Sequence, residues 1–227
     1  MIKLVIFDWD GTLYKSYRVN SEALDEMLAH FGAQPFGEAN WRKLYRPDYM
    51  SLYREMGITQ SREEIWRVYE EKLRQKPFAP LCDHVEDTLR WLHERNITVI
   101  IVSMAITKII ENVLEKYGLK NYISRIYAGM DHVQKLETIG NLVRELAPAK
   151  PEEAIFIDDS PHFIKEAEKL GCITAAFLGG YHAKEEFLGV RYNFSISALD
   201  SLQRYINFLN RQQSGELDPQ PKRILPT

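Results

Sequence analysis

"KLVIFDWDGTLYKS", residues 3–16, joins an unbroken apolar run to two aspartates one residue apart, Asp8 and Asp10, and continues into Gly-Thr. A short apolar run that ends in a turn signal is typical of a strand buried on both faces, as in a parallel sheet. Two neighbouring carboxylates at the end of a buried strand repel each other and are costly to desolvate. The segment therefore predicts a buried strand with a polar site at its carboxyl end.

Strand-like and helical segments alternate along most of the chain. We predict strands within residues 3–8, 97–103, 122–129, 153–159 and 172–178, and helices within 84–96, 107–119, 135–146, 161–171 and 201–212. Ser160 and Pro161 suit the start of the fourth of these helices, and Gly171 suits its end. Strands that alternate with helices predict an α/β fold, a doubly wound parallel sheet with right-handed crossovers.

The segment from 15 to 81 contains no convincing strand and breaks this alternation. It shows three helical patterns, near 21–33, 38–56 and 62–76, and the last opens with the capping-box pattern Ser61-x-x-Glu64. We therefore predict an inserted helical cap. The expected division is a core of residues 1–14 and 82–212, a cap of residues 15–81, and a flexible polar tail of residues 213–227.

Composition narrows the class of protein. The chain has 227 residues, 45% of them hydrophobic and 27% charged, which is ordinary globular usage. Its formal net charge of -3 gives no reason to expect a nucleic acid or an anionic membrane as partner. No apolar stretch reaches the length of a membrane span and no signal-peptide pattern is present, so we expect a soluble, cytoplasmic protein. Cys82 and Cys172 are expected to be small packing residues.

Polar side chains gather where the predicted strands end, which is where ligands bind in open α/β sheets. The residues in question are Asp8, Asp10, Ser103, Lys135, Asp158 and Asp159. Four carboxylates at one edge require a cation, and an all-oxygen site with few protein ligands suits Mg²⁺. Lys135 and Ser103 add the positive charge and the hydrogen-bond donor that a phosphate group needs. The set predicts a site for Mg²⁺ and a phosphate ester.

These residues also resemble the motifs of a known family. "DWDGT" at 8–12, the strand-ending Ser103, Lys135 and "IDDS" at 157–160 are similar to the four motifs of the haloacid dehalogenase superfamily. The resemblance covers about residues 1 to 210. The insertion between the first two motifs resembles the helical C1 cap of the branch that includes phosphoglycolate phosphatase.

The resemblance implies a role for each motif residue. Asp8 would be the nucleophile that forms an aspartyl-phosphate, and Asp10 the general acid and base, its backbone carbonyl joining the metal shell. Ser103 and Lys135 would hold the phosphoryl oxygens. The expected phosphate-binding set is Asp8, Trp9, Asp10, Ser103, Met104 and Lys135, and the expected Mg²⁺ set is Asp8, Asp10, Asp159 and, through water or by orientation, Asp158.

Two positions depart from the family pattern. Met104 stands where asparagine is frequent, and Phe163 stands where an acid or amide often follows the metal-binding aspartate. Neither change removes a residue that the chemistry requires. His132 and His162 lie near the last two motifs, and we expect surface or packing roles for them.

The cap segment interleaves aromatic residues with four cations, Arg42, Lys43, Arg46 and Arg54. These cations are consistent either with recognition of an anionic substrate or with an ordinary solvated helix face. Residues Asp8 and Asp10 could also be simple turn residues, with Asp158 to Ser160 as a helix cap. That second interpretation leaves Lys135 and the repeated placement at strand ends unexplained.

The function expected from the sequence is a Mg²⁺-dependent phosphatase that acts on a small phosphorylated metabolite. A sugar phosphomutase of the same fold is the nearest alternative, and a non-catalytic binding module is the alternative from a different class. A dehalogenase is disfavoured because it has no use for the acid-base group Asp10. The sequence does not indicate the substrate or the oligomeric state.

Overall fold

The computed structural model describes residues 1–44, 46–146 and 150–215. The described residues form one six-stranded sheet whose strands are β1 (Leu4–Phe7), β2 (Thr98–Val102), β3 (Arg125–Tyr127), β4 (Ala154–Asp158), β5 (Ile173–Phe177) and β6 (Phe194–Ile196). The strand order is β3-β2-β1-β4-β5-β6, and every neighbouring pair is parallel. This confirms the predicted doubly wound α/β fold.

The register of the central strands brings distant residues together. Phe7 lies opposite Ile101 on β2 and Ile157 on β4, so Asp8 follows at the same level as Asp158. The backbone N-H of Asp8 donates to Ile157 O at 2.9 Å. Because all strands are parallel, their carboxyl ends share one edge of the sheet, and the polar residues predicted there collect beside β1.

Helices cover both faces of the sheet. The described residues form nine α-helices: α1 (Tyr17–His30), α2 (Glu38–Leu44), α3 (Tyr49–Glu55), α4 (Arg62–Arg74), α5 (Val85–Glu94), α6 (Thr107–Lys116), α7 (His132–Leu146), α8 (Pro161–Glu168) and α9 (Asp200–Gln213). Val5 and Phe7 pack with α5, α6 and α9 on one face, whereas Leu4 and Ile6 pack with α7 and α8 on the other. Burial of both faces explains why β1 is apolar at every position.

Helices α1 to α4 have a hydrophobic cluster of their own, separate from the two clusters that flank the sheet. The segments that lead into and out of these helices run side by side. Lys15 N donates to Pro80 O at 3.0 Å, and Cys82 N donates to Leu13 O at 2.9 Å. The Tyr14 hydroxyl accepts a hydrogen bond from Ala79 N at 2.7 Å. The division at residues 15–81 nevertheless stays a prediction.

The structure corrects two details of the predicted secondary structure. A sixth strand, β6, was missed, since it has three residues and no long apolar run. The helix predicted over 38–56 is two helices, α2 and α3, separated by a segment that contains Pro47. Asp48 caps α3 by accepting a hydrogen bond from Ser51 N. Proline disfavours helical backbone at the preceding residue, which accounts for the break.

Helix α9 extends to Gln213, the first residue of the predicted tail, and residues 216–227 of that tail lie outside the described residues. Among the helices that the structure describes, none combines the length and the apolar character required to cross a bilayer.

Candidate active site

A buried lysine links two carboxylates at the centre of the sheet edge. Lys135 Nζ donates to Asp8 Oδ1 and to Asp158 Oδ2, both at 2.7 Å. The lysine side chain is 2% exposed, and those of Asp8 and Asp158 are 7% and 1% exposed. A buried ammonium requires such pairing, because desolvation of an unpaired charge is very unfavourable. The three side chains therefore form one buried ion-pair network.

Lys135 reaches this position from the first turn of α7. Phe163, on the first turn of α8, lies beneath it, with Lys135 Nζ 4.0 Å from the centroid of the phenyl ring. A cation over an aromatic face is stabilised by the ring quadrupole. Phe163, one of the two departures from the family pattern, therefore packs against the site lysine.

Negative charge outweighs positive charge at this edge. Burial raises the pKa of Asp8 to about 6, against the opposing influence of Lys135. Burial, together with Asp158 and Asp8, holds the pKa of Asp159 well above its ordinary value. For Lys135 burial lowers the pKa, but Asp158 and Asp8 outweigh it and the net shift is upward. One lysine thus faces three buried carboxyl groups, which favours an additional cation.

The geometry fits a small divalent cation. Carboxylate oxygens of Asp8, Asp158 and Asp159 lie within 4.8 Å of one another, and all three residues are buried. An all-oxygen donor set of this kind is what Mg²⁺ prefers. Both oxygens of Asp158 already accept hydrogen bonds, Oδ2 from Lys135 and Oδ1 from Ser160 N. Asp8 and Asp159 are therefore the better placed direct ligands, with Asp158 orienting the lysine.

Asp10 has a different environment from the other acids, and its carboxylate is outside the group of three. The Ser16 hydroxyl donates to Asp10 Oδ1 and is also in hydrogen-bond contact with the Tyr181 hydroxyl. Burial raises the pKa of Asp10 to about 6, although hydrogen bonds from Ser16 and Asn20 oppose this. A carboxyl group with a pKa near 6 can both hold and release a proton near neutral pH.

Ser16, Asn20 and Tyr181 are site residues that the sequence reasoning missed. Tyr181 touches the site twice, since its backbone N-H donates to Asp159 Oδ2 while its hydroxyl meets Ser16. Burial raises the pKa of the Tyr181 hydroxyl well above its ordinary value, so the phenol keeps its proton. Ser16 lies within the opening segment, but nothing in its sequence context marks it as a partner of Asp10.

Two glycines make room for Asp159. A Cβ added at Gly11 or at Gly180 would overlap the Asp159 carboxylate. Gly11 also has a φ of +80°, a conformation that side chains rarely adopt. The residue after the second aspartate is therefore a glycine for two reasons, the turn and the space.

We expect Gly11→Ala to reduce activity at least about 100-fold, because displacing Asp159 and the adjacent turn disturbs the reacting geometry. Gly57→Ala is the matched control: Gly57 has a φ of +85° with nothing within 4 Å of its added Cβ. Both variants should lose about 1 to 2 kcal/mol of unfolding free energy from the left-handed conformation, and Gly11→Ala should lose more than Gly57→Ala because its Cβ also overlaps Asp159. Equal activity in the two variants would contradict the steric explanation.

A cavity of about 360 Å³ lies over the sheet edge and beneath α1 to α4. The predicted site residues that line it are Asp8, Asp10, Ser103, Met104, Lys135, Asp158 and Asp159. Ser103 is 2% exposed, and its Oγ accepts a hydrogen bond from Ala105 N at 3.1 Å. Trp9 is the exception among the predicted residues, since its ring is buried in the core and stacks on Tyr14 with centroids 5.3 Å apart. The Trp9 side chain is therefore not part of the cavity wall.

The four basic residues of the predicted cap have different surroundings and do not form one anion-binding cluster. Arg42 lines the cavity and lies over the Tyr17 ring at 4.5 Å. Arg46 is paired with Glu55, Arg54 donates to Ile58 O at 2.9 Å, and Lys43 is exposed. For three of the four, the solvated or local structural role describes the observed contacts.

The two histidines near the last motifs differ in position. His162 lines the cavity, and His132 lies beside it with ring centroids 6.4 Å apart. Burial lowers the pKa of His162, so that a positive charge on it is disfavoured. His162 therefore contributes to the cavity wall, a position that sequence reasoning did not assign to it.

Named proteins resemble the chain over most of its length. A phosphoglycolate phosphatase of Synechococcus elongatus is 23% identical over 213 residues, which is 93% of this chain and 100% of that protein. Phosphoglycolate phosphatase 1 of Pseudomonas aeruginosa is 28% identical over 192 residues, covering 79% of this chain and 71% of that protein. The crystal structure of a predicted phosphatase from Clostridium acetobutylicum has a TM-score of 0.76 at 20% identity, covering 92% of this chain and 99% of that chain.

The family model described as haloacid dehalogenase-like hydrolase matches residues 5–177. The match begins in β1 and ends in β5, so it includes the strand ends that carry Asp8, Ser103 and Asp158. The resemblance stated from the four motifs is confirmed. The chain belongs to the haloacid dehalogenase-like hydrolase family.

Proposed function

We propose that the protein is a Mg²⁺-dependent phosphatase that hydrolyses a small phosphomonoester through an aspartyl-phosphate on Asp8. The observation that carries the proposal is the arrangement of Asp8: a buried carboxylate held by Lys135 at 2.7 Å at the edge of a cavity, with Asp10 two residues further along the chain. A nucleophile, an acid-base group and a phosphate-binding cation are thus within one site. The named relatives are phosphatases, which supports the same chemistry.

The first step transfers the phosphoryl group to the protein. The Asp8 carboxylate attacks phosphorus, the bond between phosphorus and the ester oxygen breaks, and Asp10 gives its proton to the leaving oxygen. Lys135 and Ser103 hold the phosphoryl oxygens during this transfer. The products are an alcohol and an acyl phosphate on Asp8.

The second step restores the enzyme. Asp10, now ionised, takes a proton from a water molecule as that water attacks phosphorus, and the bond to the Asp8 oxygen breaks to release inorganic phosphate. Asp8 and Asp159 would hold Mg²⁺ directly, and Asp158 would act through water or by orienting Lys135. The ion would supply charge neutralisation between carboxylate and phosphate and would align the two. Ser16 and Asn20 keep the Asp10 carboxyl oriented through both steps.

Phosphate release from p-nitrophenyl phosphate tests the function. We expect turnover with Mg²⁺, loss of turnover in excess chelator, and recovery when Mg²⁺ is restored. A sugar phosphate as second substrate separates a phosphatase from a phosphomutase: a phosphatase releases stoichiometric free phosphate, whereas a phosphomutase would return an isomeric sugar phosphate with little free phosphate. Failure to hydrolyse any phosphomonoester in the presence of Mg²⁺ would support the binding-module alternative.

Metal binding has a readout independent of activity. Saturating Mg²⁺ at about 100 times its Kd should raise the unfolding free energy of the wild-type protein by about 2.7 kcal/mol. Asp159→Asn removes a buried anionic oxygen from the proposed ligand set and should abolish most of this increase. Glu166→Gln, a change at a partly exposed acid on α8 whose partner is Lys169, is the control and should keep the full increase. An undiminished increase in Asp159→Asn would exclude this residue as a ligand.

A further inference from the structure

The part of the cavity that faces the cap is built mainly from aromatic rings. Six aromatic residues line this part: Trp41, Tyr49, Tyr53, Trp66, Tyr69 and Tyr181. His162, Phe163 and His182 also line the cavity and are not included in the six. Leu24 and Ile65 add aliphatic surface between them. Tyr49 and Tyr53 lie with ring centroids 5.7 Å apart, and Trp41 and Tyr181 lie 5.4 Å apart. Rigid rings of this kind provide a large apolar contact area at low cost in side-chain entropy.

The polar atoms of several of these rings already have protein partners. The Tyr49 hydroxyl accepts hydrogen bonds from Arg62 Nε and from Trp66 Nε1, each at 2.9 Å. The Tyr181 hydroxyl is in contact with Ser16. A ligand that fills this space therefore meets ring faces and edges, because hydrogen-bonding groups of Tyr49, Trp66 and Tyr181 are engaged within the protein.

Little positive charge is available for a second anionic group. The described residues that line the cavity include one lysine, Lys135, and one arginine, Arg42. Lys135 is paired with Asp8 and Asp158. Arg42 lies over the Tyr17 ring, and its positive charge already acts on the Glu186 carboxylate in the same wall. His182 contacts Glu186, whose carboxylate is a further negative group in the wall. A substrate with a carboxylate or a second phosphate at its far end would find a poorly matched environment.

We propose that the substrate's leaving group is an uncharged alcohol that carries an apolar ring, which the aromatic wall of the cap receives. This inference rests on the proposed phosphatase function, and it names the substrate class of the same site. The cavity of about 360 Å³ falls at the lower end of the range of roughly 300 to 1,000 Å³ typical of sites that enclose a small organic ligand. A two-carbon acid such as the glycolate of phosphoglycolate would leave the aromatic wall without contacts.

The test compares two esters of similar intrinsic reactivity, 2-phenylethyl phosphate and ethyl phosphate, with phosphoglycolate as a third substrate. Because both esters release primary alcohols of similar acidity, a difference between them reports binding of the ring rather than the ease of bond cleavage. We expect kcat/KM for 2-phenylethyl phosphate to exceed that for ethyl phosphate about 10- to 100-fold, the size of a buried aromatic ring's contribution. We also expect it to exceed that for phosphoglycolate.

Variants of Trp66 test whether the aromatic wall binds the ring of the substrate. Trp66→Ala should reduce the ratio of kcat/KM between the two esters to less than about threefold, since the indole forms part of the wall. Trp91→Ala is the matched control, because Trp91 lies on α5 in contact with the core and with Arg95, outside the cavity. It should leave the ratio unchanged. Thermal unfolding of both variants establishes that the proteins are folded, and Trp66→Leu provides a second change at the same position with smaller loss of volume.

The outcomes distinguish failure of the proposed substrate class from failure of the proposed phosphatase function. Equal kcat/KM for the two alkyl esters, or a higher value for phosphoglycolate, would overturn the substrate class while leaving a working phosphatase. A ratio that is unchanged in folded Trp66→Ala and Trp66→Leu would overturn the assignment to this wall. Absence of phosphate release from all three esters with Mg²⁺ present would instead overturn the proposed function.

Discussion

Asp8→Asn should lower kcat/KM by roughly 10⁴-fold or more, the size of effect seen when an attacking nucleophile is removed. The amide is a poor nucleophile and cannot form an acyl phosphate, while its shape is nearly that of the carboxylate. Lys135 keeps its contact with Asp158 in this variant, so the site should stay assembled. The measurement is phosphate release with Mg²⁺ present, and Asp8→Ala is a second variant that cannot revert by deamidation.

The same substitution should raise stability although it lowers activity. A stability measurement therefore serves as the control that the loss of activity is not a loss of folding. Burial raises the pKa of Asp8 from 3.8 to about 6 in the folded protein. A group whose pKa is raised on folding stabilises the protein only at low pH, and this contribution is lost as the pH rises through about 6. In the metal-free proteins, the unfolding free energy of Asp8→Asn relative to that of wild type should therefore rise by about 2 to 3 kcal/mol as the pH increases from 4 to 7.5. Wild-type turnover in a folded Asp8→Asn protein would exclude the proposed nucleophile.

Lys135→Met should have the largest combined effect on activity and stability. The substitution leaves Asp8 and Asp158 buried side by side with no ammonium between them. Removing one partner of a buried ion pair typically costs about 3 to 5 kcal/mol. Loss of a charge that stabilises a transferring phosphoryl group should reduce kcat by roughly 10²- to 10³-fold. The stability loss should be smaller near pH 4, where the two carboxyl groups take up protons.

A second substitution distinguishes the structural role of Lys135 from its chemical role. Adding Asp158→Asn to Lys135→Met removes one of the two stranded charges, so the unfolding free energy should recover in part. Activity should not recover, because no group replaces the ammonium at the phosphate. If the double variant regained both stability and activity, Lys135 would be only a counter-ion for Asp158.

The core fold was predictable because its strands are apolar at successive positions. β1, β2 and β4 are buried on both faces, and such runs stand out in a sequence. β6 could not be found in this way, because it has only three residues and its middle residue is polar. The break between α2 and α3 did have a signal, Pro47 followed by the capping residue Asp48. The amphipathic pattern of the segment concealed that signal.

The site was predictable to the extent that its residues end strands. Asp8, Ser103 and Asp158 follow apolar runs directly, so their meeting follows from parallel pairing alone. The burial of Lys135 could not be foreseen from its own segment, because a lysine in the first turn of a helix is ordinarily solvated. The contact between Tyr181 and Ser16 depends on how the loop after β5 meets the start of α1, a tertiary relation without a sequence pattern.

The position of β1 between β2 and β4 has a consequence for how the protein acquires its activity during folding. The bond from Lys135 to Asp8 joins residues 127 apart in the chain, and the sheet neighbours of β1 are similarly distant. Contacts between remote segments form slowly, because the chain must close long loops before those contacts stabilise it. A partly folded chain with helices and isolated strands would therefore hold none of the reacting geometry. Turnover should therefore return during refolding only once β1 has paired with β2 and β4, which makes turnover a direct assay for completed assembly of the sheet.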